Sequence, residues 1–266
     1  MLTFLIPALK AAWPDPFASV LNLTGTVYRE QPGRRTLEFT LQGKCYFAKI
    51  HTGVGWQEIF KNLLQGRLPI LSATPEYLAI QRLQELKLDT LTLAGFACRG
   101  WNPARLQSFV ITEALQDTVN LETFCKSWRN LPASLKIILI KRLAAIARCL
   151  HTNGINHRDF YLCHFLIHPA LLGVPTKMPI YVIDLHRAQI RSQIPRRWQI
   201  KDLAGLYFSA MDIGLSKRDI WRFMRCYQGQ TLRVILAKEI PLWQAVKLRA
   251  QQLYLKHQTV ECNDQA

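Results

Sequence analysis

Two aspartates stand in one short stretch, "INHRDFYLCHFLIHPALLGVPTKMPIYVIDLHRAQIR", at residues 155–191. Asp159 follows His157 and Arg158 in a polar loop, and Asp184 closes the apolar run Ile180-Tyr181-Val182-Ile183. An imidazole, His164, comes five residues after the first carboxylate. A loop carboxylate, a strand-end carboxylate and an imidazole in this order point to phosphoryl transfer, chemistry done mostly by positioning and by stabilising charge.

The rest of the chain must supply elements that position these groups. Its 266 residues allow one large domain or two lobes sharing a cleft. At 49% hydrophobic and 20% charged it should fold rather than stay disordered. The first half reads as strands. "TGTVYRE" (24–30), "RTLEFTL" (35–41) and "KCYFAKIH" (44–51) form an antiparallel meander, and two more strands lie near "TLTLAGFAC" and "LQSFVITEAL". Helical spacing appears in "WQEIFKNLL" (56–64), and Thr74-Pro75 can open a second helix, "PEYLAIQRLQELK". From about residue 120 the period changes to helix. "LPASLKIILIKRLAAIARCLHTNG" is one long amphipathic helix stopped at Asn153-Gly154. Further helices follow through "WQIKDLAGLYFSAMDIG", "SKRDIWRFMRCYQG", "LRVILAKE" and "PLWQAVKLRAQQLYLKH".

A five-strand sheet with intervening helix, then a helical half opening on His-Arg-Asp, resembles the protein-kinase-like fold, an α+β, bilobal architecture. The expected lobes are 1–117, strand-rich, and 118–266, helical. The resemblance assigns Lys49 on the third strand to nucleotide phosphates and Glu76 to holding that ammonium. Glu113 would lie where the lobes join, with backbone for adenine edges. Asp159 would orient and deprotonate the acceptor hydroxyl, within a catalytic loop that includes His157 and Arg158. Asp184 would hold magnesium on the ATP phosphates, and Asp202 would brace the loop from a following helix. Singly, each has an ordinary explanation: a strand Lys is usually solvated, and a Glu at a helix start favours the helix dipole. Their order along the chain is what is diagnostic.

The departures from that pattern are informative. In place of a glycine-rich loop the first hairpin offers "REQPGRRT" with the single Gly33, so Arg34 or Arg35 would supplement backbone amides with charge. His164 stands where the usual pattern has Asn, and "DLH" replaces Asp-Phe-Gly. Magnesium prefers oxygen, so His164 would serve a metal weakly, contact phosphate or orient Asp159. Only 18 residues separate Asp184 from Asp202, which leaves little room for a platform that binds a protein acceptor.

The stretches "GRRT", "GVGWQEIFKNLL", "TPEYLAI", "NHRDFYLCHFLIH", "VIDLHRAQIR" and "KDLAGLYFSA" resemble the lipopolysaccharide core heptose(I) kinase family of Gram-negative bacteria, over about residues 17–257. The resemblance implies ATP- and Mg2+-dependent phosphorylation of the first heptose of the inner core, on an acceptor joined to lipid A. It also turns His164 and Asp-Leu-His into family features.

Charge agrees with an anionic acceptor. Thirty-four Lys and Arg against 18 Asp and Glu give +16, suited to polyanions, an anionic membrane surface or an acidic protein such as an acyl carrier protein. Arg187, Arg191, Arg196, Arg197 and Lys201 follow Asp184 closely and are assigned to the acceptor side. Seven scattered cysteines without a Cys-x-x-Cys pair, no run of about 18 apolar residues and no signal-peptide pattern at the start suggest a reduced, cytoplasmic protein, peripheral to the inner membrane. Competing readings are a Kdo or small-molecule kinase of the same fold, a protein kinase, and a nucleic-acid-binding pseudokinase. Lys49, Asp159 and Asp184 speak against the last, and no nucleic acid is expected.

Overall fold

Short alternating runs of β-branched and aromatic residues build the first of two units in a computed structural model, which describes residues 2–66, 69–174 and 178–264. This unit takes in the chain to Glu85, Thr90–Gln116 and Leu185–Arg187. Its elements are β1 (Leu2–Leu5), α1 (Pro7–Ala12), α2 (Pro16–Leu21), β2 (Thr26–Gln31), β3 (Arg34–Leu41), β4 (Lys44–His51), α3 (Gly55–Leu64), α4 (Thr74–Glu85), β5 (Leu93–Arg99) and β6 (Gln107–Glu113). The strands form one antiparallel sheet in the order β1-β5-β6-β4-β3-β2.

Six strands replace the five expected. The extra one is β1, whose Leu2–Leu5 pairs with residues 95–98. Four residues without alternation carry no strand signature, so only this distant partner defines it. Alternation along β4 turns Tyr46, Ala48 and Ile50 into a core covered by Leu9, Trp13, Phe17 and Val20 of α1 and α2. Lys49 therefore points to the other face. There its cross-strand partner Val110 packs with Tyr77 of α4, which stacks on Phe96 with ring centroids 4.0 Å apart.

The second unit comprises Leu86–Asp89, Asp117–Asp184 and the chain from Ala188. It contains β7 (Val119–Asn120), α5 (Leu121–Cys125), α6 (Ala133–Thr152), β8 (Ile155–Asn156), β9 (Phe165–Ile167), β10 (Ile180–Val182), β11 (Gln189–Ile190), α7 (Arg196–Phe208), α8 (Lys217–Gln228), α9 (Leu232–Lys238) and α10 (Ile240–Asp264). Helix α6 buries Leu135, Leu139, Ala144, Ala147, Leu150 and His151 along one stripe and packs on α8, while α7 packs on α10. A capping box, Ser216 with Asp219, starts α8.

The expected stop of α6 is Gly154, at φ +74°. Its missing side chain has a second use. A Cβ there would lie 1.8 Å from the Arg191 carbonyl oxygen, and the Arg191 N–H donates to the Gly154 carbonyl at 2.9 Å. That close approach pairs β8 with β11 and brackets the loop carrying Asp159.

Candidate active site

In the strand-rich unit the Lys49 ammonium lies 2.7 Å from Glu76 Oε1, and the Glu76 side chain is 1% exposed. Its position in the first turn of α4 also favours a negative charge, so the ordinary and the functional readings of Glu76 coincide. A buried carboxylate is costly unless paired, and Lys49 is its partner.

Around Lys49 the charge is positive. Burial, followed by Arg34, Lys49 and His186, pushes the His51 imidazole down to about 3. Arg34 is itself held below the usual arginine value, first by burial and next by Arg29, with Glu58 opposing and Arg187 adding to the lowering. The neutral His51 thus lies beside a cationic group, with His186 near it, that no sequence motif assembled. Arg34 and Arg35 diverge, as neighbours on a strand do: Arg34 Nη2 donates to the Ile70 carbonyl at 2.8 Å and Arg35 Nη2 to that of Leu23 at 2.9 Å. Arg34 is the one facing the cationic group. Gly33 has φ +76°, and a Cβ on it would meet the Gly53 carbonyl at 2.2 Å, so its smallness serves a close backbone packing. Glu113 ends β6, its N–H donating to the Thr92 carbonyl at 2.9 Å.

In the helical unit Asp202, 1% exposed, holds the His157–Asp159 loop. Its oxygens accept the backbone N–H of His157 at 2.7 Å and of Arg158 at 2.8 Å. Arg158 has φ +74°, an uncommon conformation for a side-chain-bearing residue. Asp202 Oδ2 also lies 3.4 Å from His151 Nε2, and His151 Nδ1 is 2.6 Å from the Tyr227 hydroxyl, which accepts from Gln199 at 2.8 Å. One assignment satisfies the chain: Gln199 donates to Tyr227, Tyr227 to His151 Nδ1, and His151 Nε2 to Asp202. Burial pushes the Tyr227 hydroxyl up to about 12, which keeps it a donor. None of His151, Gln199 or Tyr227 belongs to the kinase pattern, and no motif marked them.

His157 is wholly buried, and burial, outweighing Asp202, keeps its imidazole below the usual histidine range. Its Nε2 donates to the Ile183 carbonyl at 2.9 Å, tying the loop to the residue before Asp184. His157 therefore positions. His164 Nδ1 lies 2.6 Å from the Asp159 carbonyl, and a carbonyl only accepts, so Nδ1 carries a proton. In a neutral ring this leaves a lone pair on Nε2, 3.5 Å from Asp184 Oδ2. Asp184 reaches that place with φ +60°, two residues beyond β10. An imidazole anchored by one nitrogen, with the other beside a carboxylate, suits a divalent cation. Among the described residues no group of three or more His, Cys, Asp or Glu converges. Magnesium keeps waters, draws on substrate phosphates and needs as few as one protein carboxylate, which Asp184 can supply, with the imidazole a weaker donor.

The basic residues after Asp184 part ways. Arg187 belongs to the strand-rich unit, with Arg34, and Arg196 pairs with Glu239 at 3.2 Å. Arg191, Arg197 and Lys201, joined by Arg158, gather around the ring of Trp198.

A model described as the lipopolysaccharide kinase (Kdo/WaaP) family matches residues 18–227. The lipopolysaccharide core heptose(I) kinase WaaP of Escherichia coli (strain K12) is 49% identical over 241 residues, 90% of this chain and 91% of that protein. The protein of the same name from Pseudomonas aeruginosa is 48% identical over 246 residues, 92% of each. A solved structure described as WaaP in complex with acyl carrier protein superposes with a TM-score of 0.83 at 42% identity, covering 96% of this chain and 100% of that one.

Proposed function

We propose, since the chain belongs to the lipopolysaccharide kinase (Kdo/WaaP) family, that it transfers phosphate from ATP to the first heptose of the lipopolysaccharide inner core. Such a kinase is a phosphotransferase acting on a sugar hydroxyl, and its relatives of this name cover nearly the whole chain. One observation carries the residue roles: the Asp159 carbonyl holds His164 so that Nε2 faces Asp184, putting a candidate cation pair beside the candidate base.

Asp159 orients the heptose hydroxyl and takes its proton as the oxygen bonds to the γ-phosphorus; the bond to the β–γ bridging oxygen breaks and ADP leaves. Lys49, held by Glu76, contacts nucleotide phosphate. Arg34 and Arg187 add positive charge on the same unit. Glu113 offers backbone near the adenine, and Asp184 with His164 would hold Mg2+. Magnesium, when bound, neutralises charge on the phosphates.

The test is ATP with purified core-lipid A lacking the phosphate, read by mass spectrometry. Wild-type protein should add one phosphate to the heptose; phosphate on the Kdo residue instead would favour the runner-up sugar kinase. Asp184→Ala should weaken magnesium-nucleotide binding in calorimetry. Asp159→Ala should keep that binding and lose turnover by a factor of about 100 or more. Normal turnover in the latter removes Asp159 from the mechanism.

Two partners belong to this reading. An acidic acyl carrier protein suits the +16 charge, and the structural relative is described with one. An apolar cavity of about 560 Å3 in the helical unit, with Leu139, Leu206, Phe223, Met224 and Trp243 in its lining, would take an acyl chain. The anionic inner-membrane surface is the second. No described helix is long and apolar enough to cross a membrane, so contact would be peripheral.

A further inference from the structure

We infer that Arg158, Arg191, Arg197 and Lys201, gathered on Trp198, form a subsite for a carboxylate on the acceptor, that of a sugar acid adjoining the reacting sugar. The inference rests on the acceptor reading above and names the group by which that acceptor is held.

The four cationic groups lie 5.0, 6.0, 5.4 and 5.3 Å from the centre of the one ring. An indole attracts cations to its faces, but four of them so close together also repel one another. The placement on α7 opposes helix stability as well. Arg196, Arg197 and Lys201 fall in its first two turns, whose first turn has no acidic residue and whose N-cap, Pro195, provides no side-chain acceptor. Cations are unfavourable at that end of a helix, and an anion is favoured there. Local rules broken together in one place are expected at functional sites.

The cluster is also built to hold its shape. Arg191 is fixed by bonds to Asn156 Oδ1 and, at 2.6 Å, to Gln189 Oε1. Its guanidinium is therefore set before any ligand arrives, which reduces the cost of ordering on binding. The Trp198 indole N–H is shielded from solvent and has no hydrogen-bond partner among the described residues. Buried donors are nearly always satisfied, and this one stands beside four cations with no protein acceptor among the described residues.

Chain position selects the ligand. Arg158 immediately precedes Asp159, and adjacent Cα atoms are about 3.8 Å apart. A group bound by Arg158 can therefore lie beside the loop that carries Asp159 and the hydroxyl it would serve. The carboxylate of a neighbouring sugar acid meets that condition better than phosphates further along on the lipid. Arginine forks match carboxylate and phosphate geometry alike, so position along the chain is what separates the two.

The experiment uses full-length protein and the Arg197→Gln/Lys201→Gln double variant, which leaves Arg158, Arg191 and Trp198 in place. Three acceptors are compared: intact, carboxyl-reduced, and stripped of lipid phosphate. On the intact acceptor the variant should raise KM by about tenfold or more. On the carboxyl-reduced acceptor wild type and variant should differ little, because the group they would distinguish is gone. Equal KM ratios on intact and reduced acceptors overturn the inference. So does a ratio that collapses only on the phosphate-stripped acceptor, which would make this a lipid-phosphate site.

A second measurement needs no turnover. The Trp198 indole N–H resonance, assigned with Trp198→Phe, should move when the free sugar acid is titrated into wild type and stay put with its carboxyl-reduced form. The double variant should bind more weakly by a similar factor. An unmoved resonance in wild type sinks the subsite. Failure of wild type to phosphorylate heptose would sink the acceptor reading while the titration still judges the subsite.

Discussion

Lys49 and Glu76 are 27 positions apart in sequence, yet their charges meet at 2.7 Å with the carboxylate sealed from solvent. The contact was legible because Lys49 ends the "YFAK" run of β4 and Glu76 stands in the first turn of α4, the order the kinase-like pattern requires. Glu85, further along α4, could have been the partner, but it pairs with Arg82 at the surface. Glu76→Gln keeps the shape and removes the charge, so the ammonium should drift. A displacement near 1 Å can cost roughly a hundredfold in rate, and a loss of at least tenfold in kcat/KM is expected. Steady-state kinetics within twofold of wild type would deny Glu76 any positioning role. His51 and Trp198 were not legible at all. Nothing local distinguishes a histidine at a strand end or a tryptophan in a helix; strand register and helix rotation give each its company.

Among the elements, those with their own period were easy to read and those defined by distant partners were not. Helix α6 announces itself by its stripe and its glycine stop, and β2 to β4 by alternation and turns. Strands β1, β8 and β11 have four, two and two residues, too short to carry a pattern. Their existence depends on partners far along the chain. Gly154 shows how much rests on such pairing. Gly154→Ala would force a left-handed conformation on a residue with a Cβ and drive that Cβ into the Arg191 carbonyl. Destabilisation of about 2 kcal/mol or more is expected from strain and overpacking together. It should appear as a lower urea midpoint at unchanged slope, with the rate falling too, since the bracket around Asp159 is disturbed. An unaltered midpoint would mean that β8 and β11 separate at little cost.

For the whole molecule, charge composition points to an anionic ligand but does not tell where stability depends on pH. His51 and His157 are both folded as neutral imidazoles, with values lowered chiefly by burial. The unfolded chain takes up protons at each as pH falls below about 6.5, whereas the folded chain does not, until about 3 in the case of His51. Their contribution is thus fully present above pH 6.5 and is lost progressively on acidification. Urea midpoints should fall between pH 7 and pH 5, and His51→Asn should flatten part of that slope. A midpoint constant over the interval would show that protons reach these rings in the folded state. The left-handed backbone of Arg158 and Asp184 has a consequence for inheritance as well as for chemistry. Each conformation costs about 1 kcal/mol that glycine would not incur. Asp184→Gly removes that strain together with the contact to His164, so it should be inert while its melting temperature stays close to wild type, and calorimetry beside an activity assay would show both. For backbone comfort alone a lineage would place glycine at these two positions; the side chains kept there instead are what the proposed turnover would select.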